Sequence, residues 1–528
     1  MPPAPVSAFV EISTEAGLVF RHENGASDRR LLPETMGAGA VFADFDGDGW
    51  VDVGVVDSGR LGAGGGGLAL FRNLGVGRFE PWGEPLPAGD LYALGAAVGD
   101  LDNDGDPDLV LTGVGRQRLY ENRGDGGFAL LPPEALPGAA GFGSSAALFD
   151  ADGDGWLDLV VGRYVRWSSA SDVACKPDGV HRAYCTPEVY PGETNLFYLN
   201  RRDRRFVERG REAGLAQTDG KALGVVTADL DGDGDFDLAV ANDTARNFLF
   251  ENLGRGTFRE RAVEAGFAFS ESGATRGGMG VDAGDLDGDG RTDLVVGNFA
   301  QEMAAFYRAL PVGENALQYV DDAAQAGLGL PTLLTLAFGT LLLDYDGDGW
   351  LDLALANGHI EPEIAAIRRG QSHAQPAQLF RNDGTGHFQP VDAGEGDALA
   401  QPRVGRGLAA GDLDRDGDPD LLLTENGGPA HLFRNRTTGS QWLRLELAAA
   451  TGNVTPYGTR AEVLVGGRTV ARELAGGRSY LSASEPVLAL GLGAAAAADR
   501  LEVRWPSGKR VAFRKLPAGR SYRVVEAE

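Results

Sequence analysis

The chain has 528 residues, 79 of them glycine, and carries 76 acidic against 48 basic side chains, a formal charge of −28. Its 43% hydrophobic content excludes disorder, and the lack of a Gly-X-Y period excludes collagen. So large an acidic excess disfavours nucleic acid and anionic lipid as partners, and no apolar run reaches the length of a membrane span.

At the start, Met1-Pro-Pro-Ala-Pro5 lacks the basic and apolar segments of a signal peptide, as does any mature chain whose signal has been removed. The stretch Phe9-Val-Glu-Ile-Ser-Thr-Glu-Ala-Gly17 then reads as a strand. It matches Phe258-Arg-Glu-Arg-Ala-Val-Glu-Ala-Gly266 in mid-chain. A nine-residue segment, DFDGDGWVD, opens at Asp44 and recurs from Asp100, Asp150, Asp229, Asp285, Asp344 and Asp412, at intervals of 50 to 79 residues. Such periods indicate a propeller, solenoid or array.

Small and apolar residues enter each copy and β-branched or leucine-rich residues leave it, so both flanks read as strands. A third strand ending in Asn follows at Asn122, Asn200, Asn252, Asn382 and Asn435, then a glycine turn and a Phe-led fourth strand. Four short strands repeated seven times predict an all-β chain, a seven-bladed β-propeller over residues 9–438. The seventh copy stops after Asn435 without a fourth strand, so the Phe9 strand is expected to complete it and close the ring. A linear solenoid leaves that strand unexplained.

In D-x-D-x-D-G-x-x-D, positions 1, 3 and 5 place carboxylates around one point, Gly at 6 permits a sharp turn, position 7 offers its carbonyl and Asp at 9 closes the shell. Oxygen-only ligands on a flexible loop suit Ca²⁺ better than Mg²⁺. The expected ligands are Asp44, Asp46, Asp48, Trp50 and Asp52 in the first loop and Asp100, Asp102, Asp104, Asp106 and Asp108 in the second. The third and fourth offer Asp150, Asp152, Asp154, Trp156 and Asp158, then Asp229, Asp231, Asp233, Asp235 and Asp237. Asp285, Asp287, Asp289, Arg291 and Asp293 follow, then Asp344, Asp346, Asp348, Trp350 and Asp352, and finally Asp412, Asp414, Asp416, Asp418 and Asp420. Up to seven calcium ions, mainly structural, are expected. Without the 31 aspartates of the loops the chain would carry +3 rather than −28, so the acidity largely counts cation ligands.

These repeats, for example Asp229 to Asp237 followed by Leu249-Phe-Glu-Asn252, resemble the FG-GAP or VCBS repeats of integrin-type propellers. After them, Gly476-Gly-Arg-Ser-Tyr-Leu-Ser482 and Leu501-Glu-Val-Arg-Trp-Pro-Ser-Gly508 resemble an ASPIC/UnbV domain, expected at 439–528. In place of the Asn-Arg, small, Ile-Gly pattern usual there, this chain has Asn453 to Thr459. The resemblance implies a secreted or periplasmic, calcium-stabilised binding protein whose partner is a protein or glycan. Read alone, residues 440–528 alternate strands and glycine turns, a small β-sandwich or barrel. They carry +5, which suits docking on the acidic ring.

The 79-residue interval between the third and fourth loops holds an insertion with Trp167, Cys175, His181, Tyr184, Cys185 and Tyr190. Long loops on a rigid scaffold are common binding surfaces. Cys175 and Cys185 either close a short loop, as suits an oxidising compartment, or remain thiols; their spacing fits no familiar metal site. His359 and His373 in the sixth repeat, with His181 and Tyr184, are candidate ligand contacts, or satisfied polar residues of long loops. Two functions follow. One is a secreted, monomeric scaffold recognising its partner through the propeller rim and insertion loops. The alternative is a calcium-dependent enzyme of natural-product or cell-envelope metabolism, its site in the channel or under the 167–191 loop.

Overall fold

A computed structural model describes residues 9–176, 179–311, 313, 317–392, 397–449 and 455–526. Asn453 and Val454, part of the segment that departs from the tail pattern, lie outside the described residues. Among the described residues no helix is long and apolar enough to cross a membrane.

The architecture is all-β and multi-sheet. The first group of antiparallel strands runs Ala40–Ala43, Asp52–Asp57, Gly67–Asn73, Phe79–Pro81. Five more four-stranded groups follow, beginning at Tyr92, Gly141, Ala222, Arg276 and Ala337. In the last, Gly405–Gly411, Asp420–Glu425 and Ala430–Asn435 are joined by Phe9–Glu11, with Phe9 opposite Asn435. First strands are buried along both faces, as in Ala337–Leu343, which explains runs of small and apolar residues where a half-exposed strand would alternate. Successive first strands pack on one another in chain order, and Gly405–Gly411 returns to Ala40–Ala43. Glycine is required at these contacts: a Cβ on Gly224 would lie 2.4 Å from the Met279 carbonyl oxygen, and one on Gly280 would lie 2.3 Å from that of Phe338.

The C-terminal part forms two sheets. One orders Leu488–Gly493, Gln441–Ala448 and Arg520–Val525; the other orders Arg468–Glu473, Arg460–Val465, Ala497–Arg504 and Arg510–Pro517. Leu443, Val463, Leu501 and Trp505 lie between them, in one apolar cluster with Leu148, Leu157 and Leu159 of the third group. The tail therefore shares a core with the third group.

Between these sheets, residues 476–485 leave the tail and run through the middle of the first strands. Leu148 N–H donates to the Gly476 carbonyl, Ser479 bridges Val281, and Ala96 N–H donates to the Leu481 carbonyl. Phe42 N–H then reaches the Ala483 carbonyl, and Glu485 N–H reaches Ala410. Tyr480 marks the turning point: it is fully buried and its hydroxyl donates to the Met36 carbonyl at 3.1 Å. The first strands of five groups thus hydrogen-bond the backbone of this buried segment, and the sixth adds Thr340 N–H donating to Ser479 Oγ at 3.3 Å.

Candidate metal centres and the far face

Every repeated loop joins the first and second strands of its group, so all seven lie at one end of the strands. The loops share a backbone conformation. Gly at position 6 has positive φ in all seven, from 83° at Gly155 to 106° at Gly234. Position 4 does too, including non-glycine Asn103 at 59° and Arg415 at 58°, a requirement the aspartate pattern hides.

The carboxylates divide the work. The position 9 aspartate accepts from two backbone amides, one at position 2 and one ending the third strand: Asp52 from Phe45 at 3.0 Å and Asn73 at 2.8 Å, Asp420 from Leu413 at 2.9 Å and Asn435 at 2.7 Å. The other five loops repeat both bonds. This residue fixes the loop to the sheet and keeps its remaining lone pairs for a cation. Position 5 accepts the position 7 N–H, as Asp48 does from Trp50 at 2.8 Å. Position 1 accepts the position 6 N–H in six loops, as Asp344 does from Gly349 at 2.9 Å.

Seven aspartate clusters result, with ligand oxygens of each lying within 4.8 Å of one another, Asp44, Asp46 and Asp48 among them. Buried oxygens without a partner remain on Asp44, Asp102, Asp344 and Asp412, in each case Oδ1. A buried unpaired carboxylate oxygen is costly, and a hard divalent cation resolves the cost. Burial also raises the acids: Asp44 to about 6, Asp52, Asp344 and Asp412 to about 7, and Asp108 to about 8. The residues fit calcium as a structural ion. Trp50 and Trp350, at position 7, face outward under guanidinium groups, Arg415 at 4.7 Å and Arg468 at 5.0 Å.

The third-strand Asn does more than end a strand. Its amide donates to position 8 of its own loop and to position 2 of the preceding one: Asn122 to Phe45, Asn200 to Leu101, Asn252 to Ala151, Asn382 to Leu286 and Asn435 to Tyr345. Asn73 donates to Leu413, from the first group back to the seventh. Asn73 also follows Leu70-Phe-Arg and was legible by the same pattern. In the fifth group Ala309 stands in this place; Tyr319 hydroxyl donates to the Thr292 carbonyl, and Thr292 hydroxyl to the Asp229 backbone carbonyl.

The opposite end of the strands, the far face, carries the insertion. Cys175 and Cys185 are disulfide-bonded, with their Cα atoms 5.4 Å apart. Tyr184 hydroxyl donates to Glu34 at 3.2 Å, and the Tyr184 ring lies 5.3 Å from Arg30. His181 is exposed. His359 is buried, its ring Nδ1 accepting the Glu361 N–H at 3.0 Å while its backbone N–H donates to the His373 carbonyl at 2.8 Å. Burial, with Arg406 adding, pushes both imidazoles down to about 4, so both are neutral near pH 7. The cavity beneath the insertion, lined by Met36, Tyr164, Asp243 and Phe338, is only about 10 Å³, room for roughly one water. Beside it, an open groove of about 780 Å³ presents Arg21, Glu23, Ser27, Arg29 and Arg60.

The FG-GAP-like repeat description matches residues 44–111, 100–161, 229–296 and 344–423, and the ASPIC and UnbV description matches 450–528. Cartilage acidic protein 1 of Homo sapiens is 26% identical over 456 residues, covering 82% of this chain and 63% of the human protein. That of Mus musculus is 26% identical over 510 residues, covering 91% of this chain and 72% of the mouse protein. The match to the human relative therefore spans less than two thirds of its length. Among solved structures, an Agrocybe aegerita lectin described as recognising non-reducing terminal N-acetylglucosamine aligns at 18% identity and TM-score 0.41, covering 69% of this chain and 82% of its own.

Proposed function

The chain belongs to the FG-GAP-like repeat family and ends in an ASPIC and UnbV domain, and from that premise we propose that it is an extracellular or periplasmic calcium-stabilised scaffold. In this reading residues 9–438 are a seven-bladed propeller closed by the Phe9 strand. Residues 439–528 are a β-sandwich docked on its loop face. The cyclic order of the asparagine bonds, with Asn73 returning to Leu413, supports the ring. Calcium in the seven loops holds the blades to one another, through residues Asp44 to Asp420 in the pattern above.

The observation that carries the binding role is the path of residues 476–485. That segment fills the axis, the tail covers the loop face, and the cavity under the insertion admits about one water. A substrate-sized channel site is thereby disfavoured against a recognition surface on the far face. We assign protein or glycan recognition to the groove at Arg29 and Arg60 and to the disulfide-pinned insertion around His181 and Tyr184. His359 and His373 serve there as packed, neutral supports. The reading takes the chain as a monomer.

The test is capture of ligands on glycan and secreted-protein arrays by the full chain in calcium. Binding is expected to fall at least tenfold for the double variant Arg29→Glu, Arg60→Glu and to persist for Arg510→Glu on the tail. Equal loss from the tail variant, or retention by the groove variant, would place recognition elsewhere.

A further inference from the structure

The seven loops are not equivalent in what surrounds them. In five, an arginine of the ring meets the position 3 aspartate from outside: Arg72 on Asp46, Arg204 on Asp102 at 2.7 Å, Arg308 on Asp287 at 2.5 Å, Arg381 on Asp346 at 2.6 Å and Arg434 on Asp414 at 3.2 Å. Four of these come from the residue just before the end of the third strand. The fourth group has Glu251 there, which adds negative charge, and among the described residues no arginine pairs with Asp231. Its compensating charge comes from the tail. Arg504 Nη2 lies 2.8 Å from Asp229 Oδ2, the position 1 oxygen that in the other six loops accepts the position 6 amide.

Two further contacts define this arrangement. A Cβ on Gly234 would lie 2.8 Å from Arg504 Nη2, so the guanidinium rests against the turn of the loop itself. The Asp229 N–H donates to Glu473 of the tail at 3.3 Å, and Asp229 Oδ1 accepts from Gly232 at 2.8 Å. Loops six and seven also face tail arginines, yet Arg472 and Arg444 stand off at 3.6 and 3.9 Å from Asp344 and Asp412. Both of those carboxylates keep the position 6 bond and an unpartnered buried oxygen. Asp229 keeps neither.

We propose that Arg504 is a competing cation built into the chain, so that calcium in the fourth loop and this anchor of the tail contend for the Asp229 carboxylate. The inference rests on the calcium reading of the loops. A guanidinium and a divalent ion on one carboxylate repel, and binding linkage makes the effect mutual: filling the fourth loop loosens Arg504, and removing Arg504 favours the ion. The other loops lack this coupling, because among the described residues no cation grips their position 1 oxygen at hydrogen-bond distance.

Hydrogen exchange of the full chain during a calcium titration reads each loop separately. Arg504→Gln is expected to lower the calcium midpoint for protection of residues 229–237 roughly tenfold, the effect of about one displaced charge, and to leave that of residues 44–52 unmoved. Arg504→Lys keeps the charge and is expected to stay near wild type. In the wild type, calcium is expected to increase exchange at the Arg504 end of Ala497–Arg504. Arg504→Met replaces the glutamine variant should that one not fold, as judged by its melting curve. An unchanged midpoint at the fourth loop, or an equal shift at the first, overturns the competition. If no loop gains protection with calcium, the metal reading itself fails, and this inference with it.

Discussion

His431 sits where the first and last strands meet, its ring nitrogens each 2.7 Å from a carboxylate, Glu11 on one side and Glu425 on the other. Burial opposes its charge, but the two carboxylate bonds outweigh that and raise its pKa above the ordinary 6.5. Glu11 is lowered first by its bond to His431; Glu425 is lowered by the same bond against its own burial. A raised histidine stabilises fully below about 6.5 and loses that contribution as pH rises through its folded value. The lowered glutamates stabilise above about 4.5 and lose it as pH falls through theirs. Protection of the Val10 amide, taken relative to its intrinsic exchange rate at each pH, is therefore expected to be greatest between those limits and to fall on the alkaline side. His431→Gln should flatten the alkaline limb and cost about 1–3 kcal/mol near pH 6 by chemical denaturation. A wild-type pH profile in that variant would contradict the assignment. At this scale the aspartates were readable because the pattern repeats. The inter-group role of the asparagines was not, because their acceptors, such as Leu286 for Asn382, lie in another repeat. Asn382→Ala removes three buried bonds, two donated to Leu286 and Leu351 and one accepted from Gly384, and is expected to cost about 2–3 kcal/mol in urea unfolding.

Among the elements, the strands and loops follow directly from periodicity, whereas the path of Gly476 to Glu485 does not. Its sequence, with Arg478, three serines and Tyr480, reads as an ordinary turn, and its burial depends on first strands assembled from all along the chain. Arg478 shows the cost of that route resolved locally, its Nη2 lying 2.6 Å from buried Asp282. Tyr480→Ala is expected to cost about 3–5 kcal/mol, as for other large buried aromatic deletions. Because the segment touches both parts, ring and tail should still melt in one transition; separate transitions with tail unfolding first would show that the segment does not couple them. The insertion depends on a local staple instead. Cys175→Ser with Cys185→Ser is expected to cost at most about 3 kcal/mol, the scale for so short a loop, and to open residues 168–186 to protease while calcium uptake is unchanged.

For the molecule as a whole, the charge is the property the sequence displayed first and the structure locates. The acids gather in seven loops on one face, and the +5 tail lies on that same face, with Arg444, Arg472, Arg478 and Arg504 directed at Asp412, Asp344, Asp282 and Asp229. Docking of tail on ring was open from composition alone, since net charge gives attraction without orientation. Cations in the loops and arginines at their edges together offset the repulsion that so acidic a ring would otherwise suffer. The most direct measurement is native mass spectrometry of the full chain with thermal unfolding, before and after chelation. Seven bound calcium ions and a melting temperature lowered by chelator are expected. Fewer than four ions, or an unchanged melting temperature without them, would contradict the account.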